Sequence, residues 1–127
     1  MKYTIDKQAQ FTQIILQDEK LDSTLAPQLK SEFVSLHTEG ARNVILDLNE
    51  VKYIDSSGLS ALLVGNRITN DGGGILVITS ISDHVHKLIK ISQLDSILNI
   101  LPTVEEARDA VFMHEIEGDL KEDENGN

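Results

Sequence analysis

Cysteine is absent from the 127 residues of this chain, which excludes a disulfide framework and any thiolate metal site. Long apolar runs are missing too. The longest fall far short of a bilayer span, and Met1-Lys2-Tyr3-Thr4-Ile5-Asp6 is not a secretory signal, so a cytoplasmic protein without a membrane partner is expected. Positive charge is scarce: 11 Lys and Arg stand against 21 Asp and Glu, a net charge of −10. A phosphate backbone is recognised largely by cations, so a direct nucleic-acid partner is not expected. Catalytic signatures are lacking as well. No Gly-x-Ser-x-Gly elbow surrounds Ser56 or Ser57, and Gly72-Gly73-Gly74 is not followed by the Gly-Lys-Ser/Thr of a phosphate loop. His84 and His86 would share a face only on a strand, whereas their surroundings carry a helical pattern. His37 and His114 read as surface residues. Neither a metal, a cofactor nor an activity of its own is expected.

What is present is an alternation of two periodicities. Tyr3-Thr4-Ile5 and Phe11–Leu16 predict two strands joined by a short polar turn, hence a hairpin. Val44–Leu48 and Ile75–Ile78 are short, β-branched apolar runs of the kind buried in parallel sheets, and Ile97–Ile100 predicts a short last strand. Between them, Leu25, Leu29, Phe33 and Leu36 share one face of a helix that Asp22-Ser23-Thr24 would cap and Gly40 would end. Pro27 sits early in that helix, where a missing N–H costs little. A second helix follows Ser57 and ends at Asp71-Gly72-Gly73-Gly74. A third spans His84–Ile91, and a fourth opens at Pro102–Glu106, with Thr103 and Glu106 spaced as a capping box. The prediction is an α/β domain over residues 1–117: a mixed sheet of about five strands, an N-terminal hairpin and four helices. From His114 to Asn127 six acidic residues face one lysine, a net −5, and apolar periodicity stops after Gly118. Residues 118–127 are therefore expected to form a disordered acidic tail, serving either solubility or a partner contact.

The most informative stretch is Asp55-Ser56-Ser57-Gly58-Leu59, where a strand pattern gives way to a helical one. Asp and Ser are the residue types that satisfy the unpaired N–H groups of a first helical turn. That turn carries partial positive charge, so a phosphate on a serine there would be well accommodated. In the helix that follows, Leu59, Leu62, Leu63 and Asn66 cluster on one side, and Ala61, Val64 and Ile68 nearly opposite. Either both sides are buried within the domain, or one adjoins the helix start as a docking strip. Asp22 and Asp55 as an acid–base pair is a weaker reading, since capping accounts for both.

This motif, in this order of elements, resembles the phosphorylation-site motif of anti-sigma factor antagonists, bacterial members of the STAS domain family. The resemblance extends from about Tyr3 to about Met113, and includes Leu21-Asp22 before the first helix and the glycine turn before Ile75. It implies a protein that binds an anti-sigma factor, often itself a serine kinase, and frees the sigma factor it holds. The serine directly after the motif aspartate, Ser56, would be the phosphoacceptor, and a serine phosphatase would reset the switch. Asp22, Asp55, Ser57, Gly58 and Leu59 would form the partner-binding surface. Asp55 would orient the turn, Ser57 would cap or contact, and Gly58 would admit another backbone at close range. Oligomeric state does not follow from the sequence.

Two other classes fit the same residues. One is a constitutive STAS interaction module of a signalling scaffold or lipid-transport complex, without phosphorylation. The other is a small-ligand sensor, because α/β sheets bind ligands near strand ends. One position departs from the family pattern: many antagonists have glycine two residues before Leu-Asp, and this chain has Glu19. If that turn needs a positive φ, glutamate suits it poorly, and the loop is expected to take another shape.

Overall fold

The computed structural model describes the backbone of residues 2–126 and the side chains as far as Lys121. Its framework is a five-stranded sheet of β1 (Tyr3–Lys7), β2 (Thr12–Leu16), β4 (Val44–Asp47), β6 (Leu76–Thr79) and β7 (Asn99–Leu101), in the spatial order β1-β2-β4-β6-β7. The first pair is the predicted antiparallel hairpin, and the other neighbours are parallel. Parallel neighbours require crossovers, and helices supply them: α1 (Ala26–Thr38), α2 (Ser56–Asp71) and α3 (Asp83–Ile91). The mixed α/β architecture with four helices is as expected. The last two strands are each displaced toward the C-terminus from their apolar runs, because pairing with the neighbouring strand, not hydrophobicity, sets a strand's ends.

Alternation along the strands builds two cores. Ile14, Val44, Leu46, Leu76 and Ile78 face α1, α2 and α3, whose Leu29, Phe33, Leu36, Leu62, Val85 and Ile89 are buried against them. Ile45 and Val77 point the other way and pack with Phe11 under Ala107 and Val111 of α4 (Val104–Gly126). Both sides of α2 are taken up within the domain. Leu59, Ala61, Leu62, Gly65 and Asn66 are buried, while Leu63 and Ile68 are half-buried and pack on the same core. The reading of one α2 side as a docking strip is thereby replaced by helix–helix packing: Phe33 lies so close that a Cβ at Gly65 would come within 2.5 Å of its ring.

Three helix ends are closed alike. At Gly40, Gly73 and Gln93 the chain turns to positive φ, and the amide after each bonds back across the last turn (Ala41 to Leu36, Gly74 to Thr69, Leu94 to Ile89).

The structure adds one feature to the sequence reading and corrects another. A further pair of two-residue strands, β3 (Lys20–Leu21) and β5 (Tyr53–Ile54), forms a separate parallel ladder; two residues are too short to carry a periodicity. Asp22 does not cap α1. The helix begins at Ala26, with Leu25 at its N-cap and no side-chain cap bond. Asp22 instead folds a tight turn ahead of it. The backbone of α4 runs up to Gly126, past Gly118 where apolar periodicity stops, and Asn127 lies outside the described residues. Absence of core-forming residues argues against packing, but not against extending a helix already nucleated by Val104, Ala107 and Val111.

Candidate functional site

The candidate site is built where the small β3–β5 ladder meets the start of α2. Register pairs Lys20 with Tyr53 and Leu21 with Ile54, so Asp22 and Asp55 each follow directly on a paired residue at the same end of the ladder. Two motifs far apart in sequence thus meet at one edge. The join is tight. The Leu21 carbonyl accepts the Asp55 amide at 3.4 Å and passes directly over Gly58. A Cβ placed on Gly58 would overlap that carbonyl oxygen and come within 2.5 Å of Ile54 Cγ1. The close approach expected at Gly58 is therefore made by this chain's own backbone.

Asp55 is the N-cap of α2: its backbone is extended, and its Oδ1 accepts the Gly58 amide at 3.0 Å. Ser56 and Ser57 occupy the first two helical positions. Ser56 is exposed, Ser57 half-buried, and Gly58 and Leu59 are buried. Leu59, placed on the partner surface by the sequence reading, is 9% exposed and belongs to the core. Asp22 Oδ1 accepts both the Thr24 amide at 3.0 Å and the Thr24 hydroxyl at 2.6 Å. Those bonds, led by the hydroxyl and helped by the Leu25 amide and the nearby Lys20 charge, hold its carboxyl below the ordinary aspartate range against a smaller opposing effect of burial.

Between the starts of α1 and α2 lies a shallow depression of about 270 Å³, lined by Ser23, Pro27, Lys30, Ser56, Ser57 and Ser60, with Ala26 at its base. Its one cationic side chain, Lys30, was not anticipated, since nothing in its local sequence distinguishes it from any lysine on a solvated helix face. Nor was an aromatic pair joining β5 to α3: Tyr53, 43% exposed, stacks on His84 with ring centroids 5.6 Å apart. Glu19 also has a role the sequence did not disclose. It is not among the described residues with positive φ; its carbonyl accepts the Lys52 and Tyr53 amides at 2.7 and 3.1 Å, and its carboxylate meets Lys52 Nζ at 3.3 Å. The loop accommodates glutamate by pairing it with β5 instead of turning through the left-handed region.

Two of the four histidines have defined partners, neither of them a serine. His84 is stacked on Tyr53, and His114 Nε2 lies 2.9 Å from the Gly73 carbonyl oxygen. What the site offers is an exposed hydroxyl on a capped helix start, in a depression that also holds the Lys30 ammonium, at the ladder edge that carries the Asp22 and Asp55 carboxylates. That arrangement is an α/β domain with an exposed serine hydroxyl at the start of a helix, beside the Asp22 turn.

The chain belongs to the STAS domain family, whose model matches residues 5–107. It is 33% identical over 107 residues to BtrV of Bordetella bronchiseptica, a protein assigned as an anti-sigma factor antagonist, covering 84% of this chain and 91% of BtrV. Among solved structures, a STAS domain protein of Planctomyces limnophilus superposes with a TM-score of 0.76 at 24% identity, covering 86% of this chain and 97% of that one. The anti-sigma factor antagonist SpoIIAA in its unphosphorylated form gives 0.67 at 19% identity, covering 87% and 97%. The phosphorylated form of SpoIIAA, from Bacillus, gives 0.66 at 22% identity, covering 87% and 99%.

Proposed function

We propose that this protein is an anti-sigma factor antagonist whose binding surface is the shared edge of Asp22, Asp55, Ser56 and Ser57, and that phosphorylation of Ser56 switches it off. The observation that carries the reading is the exposure of Ser56 at the first position of α2, immediately after its N-cap and beside the Asp22 turn. BtrV, similar over most of the chain, supports the antagonist role, and SpoIIAA has the same fold and occurs in a phosphorylated form. The partner is an anti-sigma factor with serine-kinase activity, and a serine phosphatase restores the free hydroxyl. The protein acts in the cytoplasm as a ligand and a kinase substrate, not as an enzyme.

The off-switch is electrostatic and steric. Phosphate brings about −1.5 to −2 charges to a surface already carrying Asp22 and Asp55. A partner shaped for a neutral hydroxyl then meets like charge and added bulk. Such juxtaposition costs several kcal/mol at an interface, and about 3 kcal/mol weakens binding by roughly two orders of magnitude. Gly58 and Leu59 act from beneath by fixing the turn that presents Ser56.

The test is affinity for the cognate anti-sigma factor, together with phosphosite mapping of protein from its native cells. Ser56→Ala is expected to bind like wild type and Ser56→Asp at least about tenfold more weakly. Phosphate at Ser56 should vary with growth condition. Equal affinity of both variants, with Ser56 unmodified in every condition, would leave a constitutive STAS interaction module.

A further inference from the structure

A second surface lies on the opposite side of the sheet. Val104, Ala107 and Val111 of α4 face the sheet, Ala107 and Val111 fully buried there. Farther along, the same inward side is tied to the loops at the end of the sheet. Glu115 Oε1 accepts from Asn43 Nδ2 at 2.6 Å and lies 3.6 Å from Arg42 Nε, and His114 reaches the Gly73 carbonyl. At 100° per residue the outward side is then occupied by Phe112, Met113, Ile116 and Leu120. These are 46%, 55%, 51% and 57% exposed. The helix thus has an apolar strip on each side, one of which the domain does not use. An unpartnered strip of this kind marks an interaction surface.

Charge identifies what fits it. Glu105 and Asp109 close the N-terminal end of the strip, and Glu117 and Asp119 flank it, all four exposed. Arg108 is turned away over the Phe11 ring, 5.9 Å from its centroid. Met113, Ile116 and Leu120 follow the three–four spacing of a helix–helix seam, and Phe112 to Leu120 covers about 12 Å of helix. A second copy would set one acidic rim against another. An anionic bilayer would be repelled by the same rim.

We propose that the outward face of α4 docks a basic amphipathic helix of a protein partner, independently of the Ser56 surface. The apolar strip takes the partner's apolar face, and the carboxylates beside it pair with flanking lysines and arginines.

The probe is a fluorescein-labelled amphipathic peptide of about 20 residues, with leucines on one face and lysines and arginines on the other, titrated against the full-length protein. Binding is expected to weaken at least about tenfold in Ile116→Ser/Leu120→Ser and in Phe112→Ser, and to be unchanged in Ser56→Asp. It should also weaken in about 0.5 M salt, and amide shifts should cluster within residues 108–121. Absence of binding, equal binding by the α4 variants, or shifts centred on Ser56 would overturn the proposal. So would sedimentation showing a wild-type dimer that the α4 substitutions dissociate. Because all substituted residues are exposed, circular dichroism is expected to show each variant folded. Since the anti-sigma factor assay reads the Ser56 surface and the peptide assay reads α4, failure of one leaves the other standing.

Discussion

Gly58 joins two distant parts of the chain at a point where no other residue fits. Its missing side chain lets the Leu21 carbonyl lie against the first turn of α2, which holds Asp22 next to Asp55. Gly58→Ala improves helix propensity but forces that carbonyl and Ile54 outward. We expect a net destabilisation of about 1–3 kcal/mol in urea unfolding, with weakened anti-sigma factor binding. An unchanged midpoint would show that β3 yields freely. Asp22 is the other residue whose surroundings set its chemistry. With its pKa held below the unfolded value by Thr24, its turn contributes stability above the ordinary aspartate range and loses it as pH falls through the lower folded value. Carboxyl NMR should show Asp22 titrating below about 3.9, and Thr24→Ala should move it upward. Coincident titrations in both proteins would remove the hydroxyl as the cause.

At the scale of elements, the start of α2 is capped without the Ser56 side chain. Asp55 already satisfies the Gly58 amide, so Ser56 contributes little to the cap, as the proposed role at the binding surface requires. A negative charge at the first helical position interacts favourably with the helix dipole. Ser56→Asp is therefore expected to leave stability unchanged or raise it by up to about 1 kcal/mol, while the same substitution weakens partner binding. Thermal unfolding measured beside affinity checks this. A marked loss of stability would make the lower affinity a folding effect and undo the switch reading. Helix α4 makes a related point about elements. Its inward and outward apolar residues fall on opposite sides, so one half of its pattern builds the domain and the other half is left to solvent.

Over the whole molecule, the sheet keeps these surfaces apart. α1, α2 and α3 cover one face, with Ser56 at the α2 start, and α4 covers the other. Binding at one side therefore does not obstruct the other. A net charge of −10 would favour basic partners at either proposed surface and steer their approach at low salt.

Hydrophobic pattern determined the five main strands and the buried faces of the first and third helices, because burial imposes periods of two and 3.6 on any chain that forms a core, and a capping box marked the start of the fourth. The helix start at Ser56 was legible for a similar reason: Asp-Ser-Ser-Gly satisfies a first turn using neighbouring residues alone. The tertiary structure decided what depends on distant partners. Leu21 and Ile54 pair across a ladder too short to leave a sequence pattern, and that pairing alone brings Asp22 to Asp55. Lys30 reaches the serine depression only because α1 crosses beside α2. Leu59, the last residue of the motif, turned inward because helix phase, not proximity to Ser56, decides which side of a turn faces solvent. Beyond Gly118, composition revealed the absence of a core but not the helix, since a helix once nucleated by packing propagates on backbone hydrogen bonds that composition does not encode.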